Sequence, residues 1–239
     1  LALKPDEGSH GDGFYKFTYE DGKYQLNYQD VTKQQVLDIL EDINNQYLVT
    51  EYINMCDELK AVYDGAVNTV RMIVFKKDGK NPQIGNAYVR FGSKKTGAVD
   101  NVGAGGMTAT IDVATGHFHD AKIVMNNSIE DCPIHPDTGV PIDGYLPHWE
   151  QVKQQVLDVT KSIKQLEFFG VDLAVTNDGI KFPEINRFPD YPAVEKYTKP
   201  TREYLLYKLA GKKHHYGYDV TPNKTLVHLP KRDSERGKI

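Results

Sequence analysis

Between residues 67 and 125 the chain reads as an unbroken series of strands and turns, and that series fixes the fold class. Segments 67–75, 84–91, 109–112 and 117–125 are rich in β-branched and aromatic residues. Turn residues part them, including Lys77-Asp78-Gly79 and Thr115-Gly116. Most of these joins are too short for a crossover helix, so neighbouring strands are expected to pair antiparallel. A further hairpin is expected from 170–176 and 179–185, joined by Asn177-Asp178-Gly179. Residues 1–28 read as strand, glycine-rich loop, strand, turn, strand. Phe17, Tyr19, Tyr24 and Leu26 alternate around Asp21-Gly22, a strong hairpin signal. Residues 47–53 form one more short apolar run.

Helical periodicity interrupts the strands in three places. Thr32 and Gln35 fit a capping box ahead of Val36, Ile39, Leu40 and Ile43. Val152, Val156, Val159 and Ile163 make a stripe within 149–165, and a last helix is expected over 201–209. The hexamer Lys-Gln-Gln-Val-Leu-Asp occurs at 33–38 and again at 153–158 with no larger duplication around it, which reads as reuse of a good helix pattern. The expected class is α+β, an antiparallel sheet with helices packed on it.

Composition excludes several functions. With 239 residues and a formal net charge of -4, the chain lacks the strongly basic face of a general nucleic-acid binder. No apolar run approaches the ~20 residues of a membrane span, and no charged-then-apolar leader opens the chain. Cys56 and Cys132 cannot form a disulfide framework and read as free thiols, which places the chain in the cytoplasm. The 211–239 segment, with Lys231, Arg232, Arg236 and Lys238, reads as a polar tail.

Three clusters carry chemistry. In the first, Lys4 ends a strand and precedes a loop holding Gly8, Ser9, Gly11 and Gly13. Glycines let backbone N–H groups close around phosphate oxygens while lysine adds a point charge. This is not the Walker order, in which the lysine closes the loop. Alone, it reads more readily as a structural glycine-rich turn. In the second, Glu184 and Asn186 stand at i and i+2 of one strand, so they share a face. Asp172 joins them if the two last strands pair. Two carboxylates and an amide oxygen suit Mg²⁺ held together with nucleotide phosphates; an edge strand with solvated acids is the alternative. In the third, Arg71 and Arg90 offer forks for phosphate or carboxylate, and Asn101 precedes Gly105-Gly106 in a glycine-rich insertion, 92–106.

Taken in order, the lysine loop, the apolar Thr50-Glu51-Tyr52-Ile53 segment, the Arg71 strand, Asn101 with Gly105-Gly106, and Asp172 with Glu184-x-Asn186 resemble the ATP-grasp superfamily. Asn68-Thr69-Val70-Arg71, Val99-Asp100-Asn101, His135-Pro136-Asp137-Thr138-Gly139, Pro147-His148-Trp149 and Gly170-Val171-Asp172 narrow the resemblance to the sugar-transfer-associated ATP-grasp family, over about residues 1–195. The resemblance implies an ATP-grasp fold, with part of the small subdomain in 1–49 and the large antiparallel-sheet subdomain in 50–210. Lys4, Gly8, Ser9 and Gly11 would then cover phosphates. Thr50, Glu51 and Ile53 would hold adenine, and Asp57 or Glu58 the ribose hydroxyls. Asp172, Glu184 and Asn186 match magnesium ligands, with Mn²⁺ as a substitute. Arg71, Arg90 and Asn101 would serve phosphate and acyl phosphate.

The implied activity is ligation of a small-molecule carboxylate to an amine, either of them sugar-linked, in polysaccharide or cell-surface sugar synthesis. A non-catalytic ATP-binding module and a kinase are the alternatives. The superfamily pattern also has a substrate domain and half of the small subdomain ahead of the lysine loop. The expectation is therefore a later portion of an ATP-grasp unit, with exposed apolar surface near Leu1–Leu3 and along the first helix, and a homo-oligomeric contact there. His117 and His119, His135, Cys56 and Cys132 read as structural, with a substrate contact left open for His135.

Overall fold

The computed structural model describes residues 1–6, 11, 13–42, 46–76, 79–125, 128–187 and 189. Gly8, Ser9, Ile43, the 201–209 helix and the 211–239 tail lie outside them. Two sheets organise the described chain. The first contains β1 (Ala2–Pro5), β2 (Tyr15–Glu20), β3 (Lys23–Leu26), β4 (Gln29–Val31) and, after helix α1 (Lys33–Asp42), β5 (Tyr47–Thr50). Helix α2 (Asp57–Val62) leads into the second sheet, formed by β6 (Val70–Lys76), β7 (Pro82–Phe91), β8 (Met107–Ile111), β9 (His117–Met125), β10 (Ser128–Asp131) and β11 (Gly144–Tyr145). Helix α3 (Trp149–Lys161) then precedes β12 (Phe168–Thr176) and β13 (Gly179–Asn186).

The first sheet runs β4-β3-β2-β1-β5 and the second β10-β9-β8-β7-β6-β12-β13, with β11 pairing β9. All pairings within them are antiparallel. The fold is α+β and mostly sheet. Asp21 and Gly22 turn the expected hairpin with φ of +50° and +79°, and Tyr19 stands opposite Tyr24. Thr32 and Gln35 form the reciprocal cap, with Thr32 N–H on Gln35 Oε1 at 2.8 Å and Gln35 N–H on Thr32 Oγ1 at 3.2 Å.

The core lies between one face of the second sheet and helices α2 and α3. Val70, Met72, Val74, Val171, Leu173 and Val175 meet Leu59, Val62, Trp149, Val152 and Val156 there. The buried face of α3 is Trp149, Val152, Val156 and Thr160, while Val159 is 40% exposed. The expected stripe is thus turned toward Trp149, whose indole N–H donates to Val113 O at 2.9 Å. By contrast, α1 buries no residue, and Leu1, Leu37, Leu40, Leu48 and Val49 are all exposed. The same hexamer that packs Val156 into the core leaves its counterpart Val36 only half-buried.

Candidate functional site

The site grows from strand alternation. On β6 and β12, Val70, Met72, Val171 and Leu173 point to the helices, so Arg71 and Asp172 must point to the opposite face. The register then sets four polar residues in one row across the sheet. Tyr88 stands opposite Arg71, Arg71 opposite Asp172, and Asp172 opposite Glu184. Arg90 and Asn186 follow two residues on along β7 and β13. The expected sharing of a face by Asp172, Glu184 and Asn186 therefore holds, and Arg71 and Arg90 lie within the same cluster.

Their contacts are tight. Arg71 Nε donates to Asp172 Oδ1 at 2.6 Å and Arg71 Nη2 to Oδ2 at 2.7 Å. Arg90 Nη2 reaches the same Oδ2 at 2.9 Å. Asn186, with its amide nitrogen facing the acid, donates to Glu184 Oε1 at 2.7 Å and accepts from Arg71 Nη2 at 3.1 Å. Burial of the Asp172 carboxyl favours its neutral form, but the bonds and charges of the two arginines outweigh that and hold it below the usual carboxylate range. The Arg71 and Arg90 guanidiniums are likewise desolvated, yet their acidic partners keep both firmly charged.

Arg90 is positioned by a residue that the motif reading named without giving it a role. Asp100 Oδ2 accepts from Thr69 N–H at 2.8 Å and Thr69 Oγ1 at 2.5 Å, and it lies 3.4 Å from Arg90 Nε. Asn101 caps the single turn Val102–Ala104, its Oδ1 accepting from Gly103 N–H at 2.9 Å. A Cβ on Gly106 would lie 2.8 Å from Phe91 O. The Asn-x-x-x-Gly-Gly spacing builds this turn.

The first sheet reaches the same place. Lys4 Nζ donates to Pro183 O at 3.2 Å, one residue before Glu184. Gly11, at φ +81°, fits against the 92–106 insertion so closely that a Cβ would lie 2.9 Å from Val99 Cγ1. Lysine, the segment 50–53 that joins the two sheets (the hinge), arginines, Asn-Gly-Gly turn and acidic hairpin thus occur in family order. The profile described as sugar-transfer associated ATP-grasp matches residues 1–193. The chain belongs to the sugar-transfer-associated ATP-grasp family. No curated protein and no solved structure matches the chain.

In this ATP-grasp chain the hinge borders a cavity of about 210 Å³, lined by Lys16, Tyr52, Ile53, Asn54, Met55, Lys60, Asp64, Ala66 and Val67. Ile53 lines it, as the adenine expectation requires. Thr50 and Glu51 are exposed on the approach, and Thr50 Oγ1 donates to Glu51 O at 3.2 Å. Asp57 and Glu58 both lie exposed in the first turn of α2 and outside the cavity lining. Lys16 and Tyr52 also line the cavity; Tyr52 lies in the segment that the sequence reading marked, while Lys16 was not singled out. The alternation of β2 marks Lys16 as facing the same side as Lys4, because it stands opposite Ala2.

A divalent cation finds oxygen here. Asp172 has three guanidinium N–H groups on about four lone-pair sites. One position on Oδ1 therefore stays open beside the exposed Glu184 carboxylate. Mg²⁺ commonly takes one or two carboxylates and completes its shell with water and phosphate oxygen, and this donor set fits. Among the described residues, no group of three His, Cys, Asp or Glu forms a metal cluster. His135 is fully buried, its Nε2 on Gly92 O at 2.9 Å and its Nδ1 accepting from Asp137 N–H at 3.3 Å. It orders the loop and faces no cleft. Burial pushes the Cys56 thiol up to about 11, which removes it as a nucleophile. No helix among the described residues is long and apolar enough to cross a membrane.

Proposed function

We propose that the chain performs ATP-dependent ligation of a carboxylate to an amine through an acyl phosphate, in polysaccharide or cell-surface sugar synthesis. The observation that carries this reading is the polar row Arg71–Asp172–Glu184 with Lys4 Nζ 3.2 Å from the carbonyl beside Glu184. Cations and oxygen ligands then flank one spot from two sheets.

In this scheme an oxygen of the substrate carboxylate attacks the γ-phosphorus of ATP, and the bond to the β-bridging oxygen breaks, leaving ADP. An amine nitrogen then attacks the acyl carbon; inorganic phosphate departs, the nitrogen loses a proton, and an amide remains. Mg²⁺ held by Glu184, Asp172 and Asn186 would neutralise phosphate charge. The protein itself positions and screens charge, which is most of what phosphoryl transfer asks. Lys4 supplies a cation at the metal end. Arg71 and Arg90, pre-oriented by Asp172, Asp100 and Thr69, present fixed N–H groups and need little reorganisation as charge develops. Gly11 and the 92–106 insertion, in contact at Val99, would help exclude the water that hydrolyses an acyl phosphate. The ATP requirement and the two free thiols suit a cytoplasmic enzyme.

The test measures ADP release with a panel of sugar-linked carboxylates and amines. ADP formation that needs both co-substrates supports a ligase. Release that needs only one hydroxyl- or carboxyl-bearing substrate makes it a kinase, and ATP binding without turnover makes it a binding module. Glu184→Gln should abolish metal-dependent ATP turnover while leaving the circular dichroism spectrum intact. Normal turnover by that variant would overturn the metal assignment.

A further inference from the structure

His117 and His119, which read as structural in the sequence, stand at the far end of the row that carries Arg71. The register continues that row past Tyr88: Tyr88 stands opposite Thr110, and Thr110 opposite His119. Ala109, Ile111 and Phe118 point to the helices, so Thr110, His117 and His119 share the outer face with Arg71 and Asp172. Tyr145 of β11 pairs with His117. Its ring stacks on the His117 imidazole at 4.6 Å and 19°, and the two imidazoles are 4.8 Å apart. One sheet face thus holds the arginine–aspartate cluster at one end and three rings at the other.

Two carboxylates orient these rings. Asp143 Oδ1 lies 3.1 Å from His117 Nε2, and Asp120 Oδ2 lies 2.9 Å from His119 Nδ1. That leaves His117 Nδ1 and His119 Nε2 for a ligand. Thr108 pairs with Lys122 and Thr110 with His119, so β9 carries one residue more than β8 between the two pairs. Asp120 stands in this bulge at φ +51°. A regular strand would send it to the buried face; the bulge turns its carboxylate onto His119 instead. Bulges re-aim side chains in this way and are over-represented next to active sites. Lys122, on the same face, is already paired with Asp131. The stack is open to solvent, with Tyr145 60% exposed.

We propose that His117, His119 and Tyr145 bind an uncharged sugar unit of the sugar-linked substrate, whose reacting end lies at Arg71 and Arg90; this rests on the ligase reading above. A sugar ring has a face of C–H groups that packs on a flat apolar ring. The hydroxyls around its rim donate to carboxylates and imidazole nitrogens. Asp120 and Asp143 make the spot negative, which disfavours uronates and phosphates. Arg71 and His119 are three strand spacings apart, about 14 Å. A single sugar ring cannot touch both ends. The substrate is therefore an oligosaccharide, or a sugar on a carrier of similar length.

Saturation-transfer NMR on the full chain tests this, with cellobiose, N,N′-diacetylchitobiose and digalacturonate as probes. At least one of the two neutral disaccharides should receive saturation, and digalacturonate should bind more weakly. Tyr145→Ala replaces an exposed side chain and should melt with the wild type. It should weaken the neutral disaccharide by about fivefold, as loss of one ring contact does. Its ATP affinity, measured by calorimetry in Mg²⁺, should stay within about twofold, because the two sites are far apart. Undiminished sugar binding in Tyr145→Ala, an equal loss of ATP affinity, or digalacturonate bound as well as the neutral sugars would overturn the proposal. A wild-type protein that binds ATP but none of the sugars rejects the ring site alone. One that takes a sugar through Tyr145 but binds no ATP keeps the ring site and rejects the ligase reading.

Discussion

Asp172→Ala, studied without metal or nucleotide, asks what this carboxylate does in the empty protein. In an acidic metal site waiting for its ion, neighbouring carboxylates repel, and removing one stabilises the fold. Here the opposite is expected. The Asp172 side chain is 5% exposed and that of Arg71 10%. The substitution deletes hydrogen bonds of 2.6, 2.7 and 2.9 Å from two guanidiniums. Removing one member of a buried ion pair costs about 3–5 kcal/mol. Arg90 keeps Asp100 at 3.4 Å and Arg71 keeps Asn186 at 3.1 Å, so the lower end applies. At about 2–4 °C per kcal/mol for a domain of this size, a loss of about 3 kcal/mol lowers Tm by roughly 6–12 °C.

Thermal unfolding followed by circular dichroism measures this directly. The double variant Arg71→Met, Asp172→Leu removes both charges together and should recover to within about 1–2 kcal/mol of the wild type or exceed it. The pH dependence has a definite sign. The carboxyl of Asp172 lies below its unfolded value when folded, so its contribution is fully present above about pH 4 and fades as pH falls through the lower folded value. The Ala variant should therefore lose less stability than the wild type between neutral and strongly acid pH. A single variant that melts at or above the wild-type temperature would refute the ion-pair account and leave a site shaped by carboxylate repulsion.

Two further expectations test packing. Cys56, fully buried with its thiol pushed up to about 11, should resist iodoacetamide at pH 8 in the folded protein and react only on unfolding; fast native labelling seen by mass spectrometry would refute that burial. Gly11→Ala and Gly22→Ala both force alanine into positive φ, but only Gly11 meets a neighbour, Val99, while nothing lies within 4 Å of Gly22. The Gly11 variant should lose about 1 kcal/mol more in urea unfolding, and equal losses would deny the contact between the two loops.

What was legible in the sequence followed local rules. Antiparallel sheets, the Asp21-Gly22 turn, the Thr32–Gln35 cap and the shared face of Asp172, Glu184 and Asn186 follow from period two, turn chemistry and capping, which need no tertiary partner. The rest depended on partners far along the chain. Arg71 and Asp172 are 101 residues apart, so a reading of each alone sees a phosphate fork and a metal ligand, never a pair. Short β4 and β11 and the one-and-a-half-turn α2 carry too few residues for a periodic signal. Tyr28 is the instructive miss. Its ring looks ordinary in sequence, and its backbone at φ +67° shows only in the fold.

The 92–106 insertion shows how composition misleads about motion. Its glycines and polarity suggest a loop that opens and closes. Yet His135 Nε2 holds Gly92 O at 2.9 Å, Ser93 Oγ donates to Gly105 O at 3.0 Å, Lys94 N–H donates to Asp137 Oδ2 at 2.8 Å, and Asp100 grips Thr69. This loop is anchored at its start to His135 and Asp137, closed on itself by Ser93 and Gly105, and tied at Asp100 to Thr69, which makes it part of the wall that fixes Arg90. The first sheet is built differently. Among the described residues, Leu3 is the one core side chain that its strands contribute, and α1 buries none. Few buried apolar contacts mean low local stability. A preorganised charge cluster on the stiff sheet faces Lys4 on the softer one. On the ligase reading proposed above, the arginines need no rearrangement to meet developing charge, and movement that admits nucleotide falls to the first sheet.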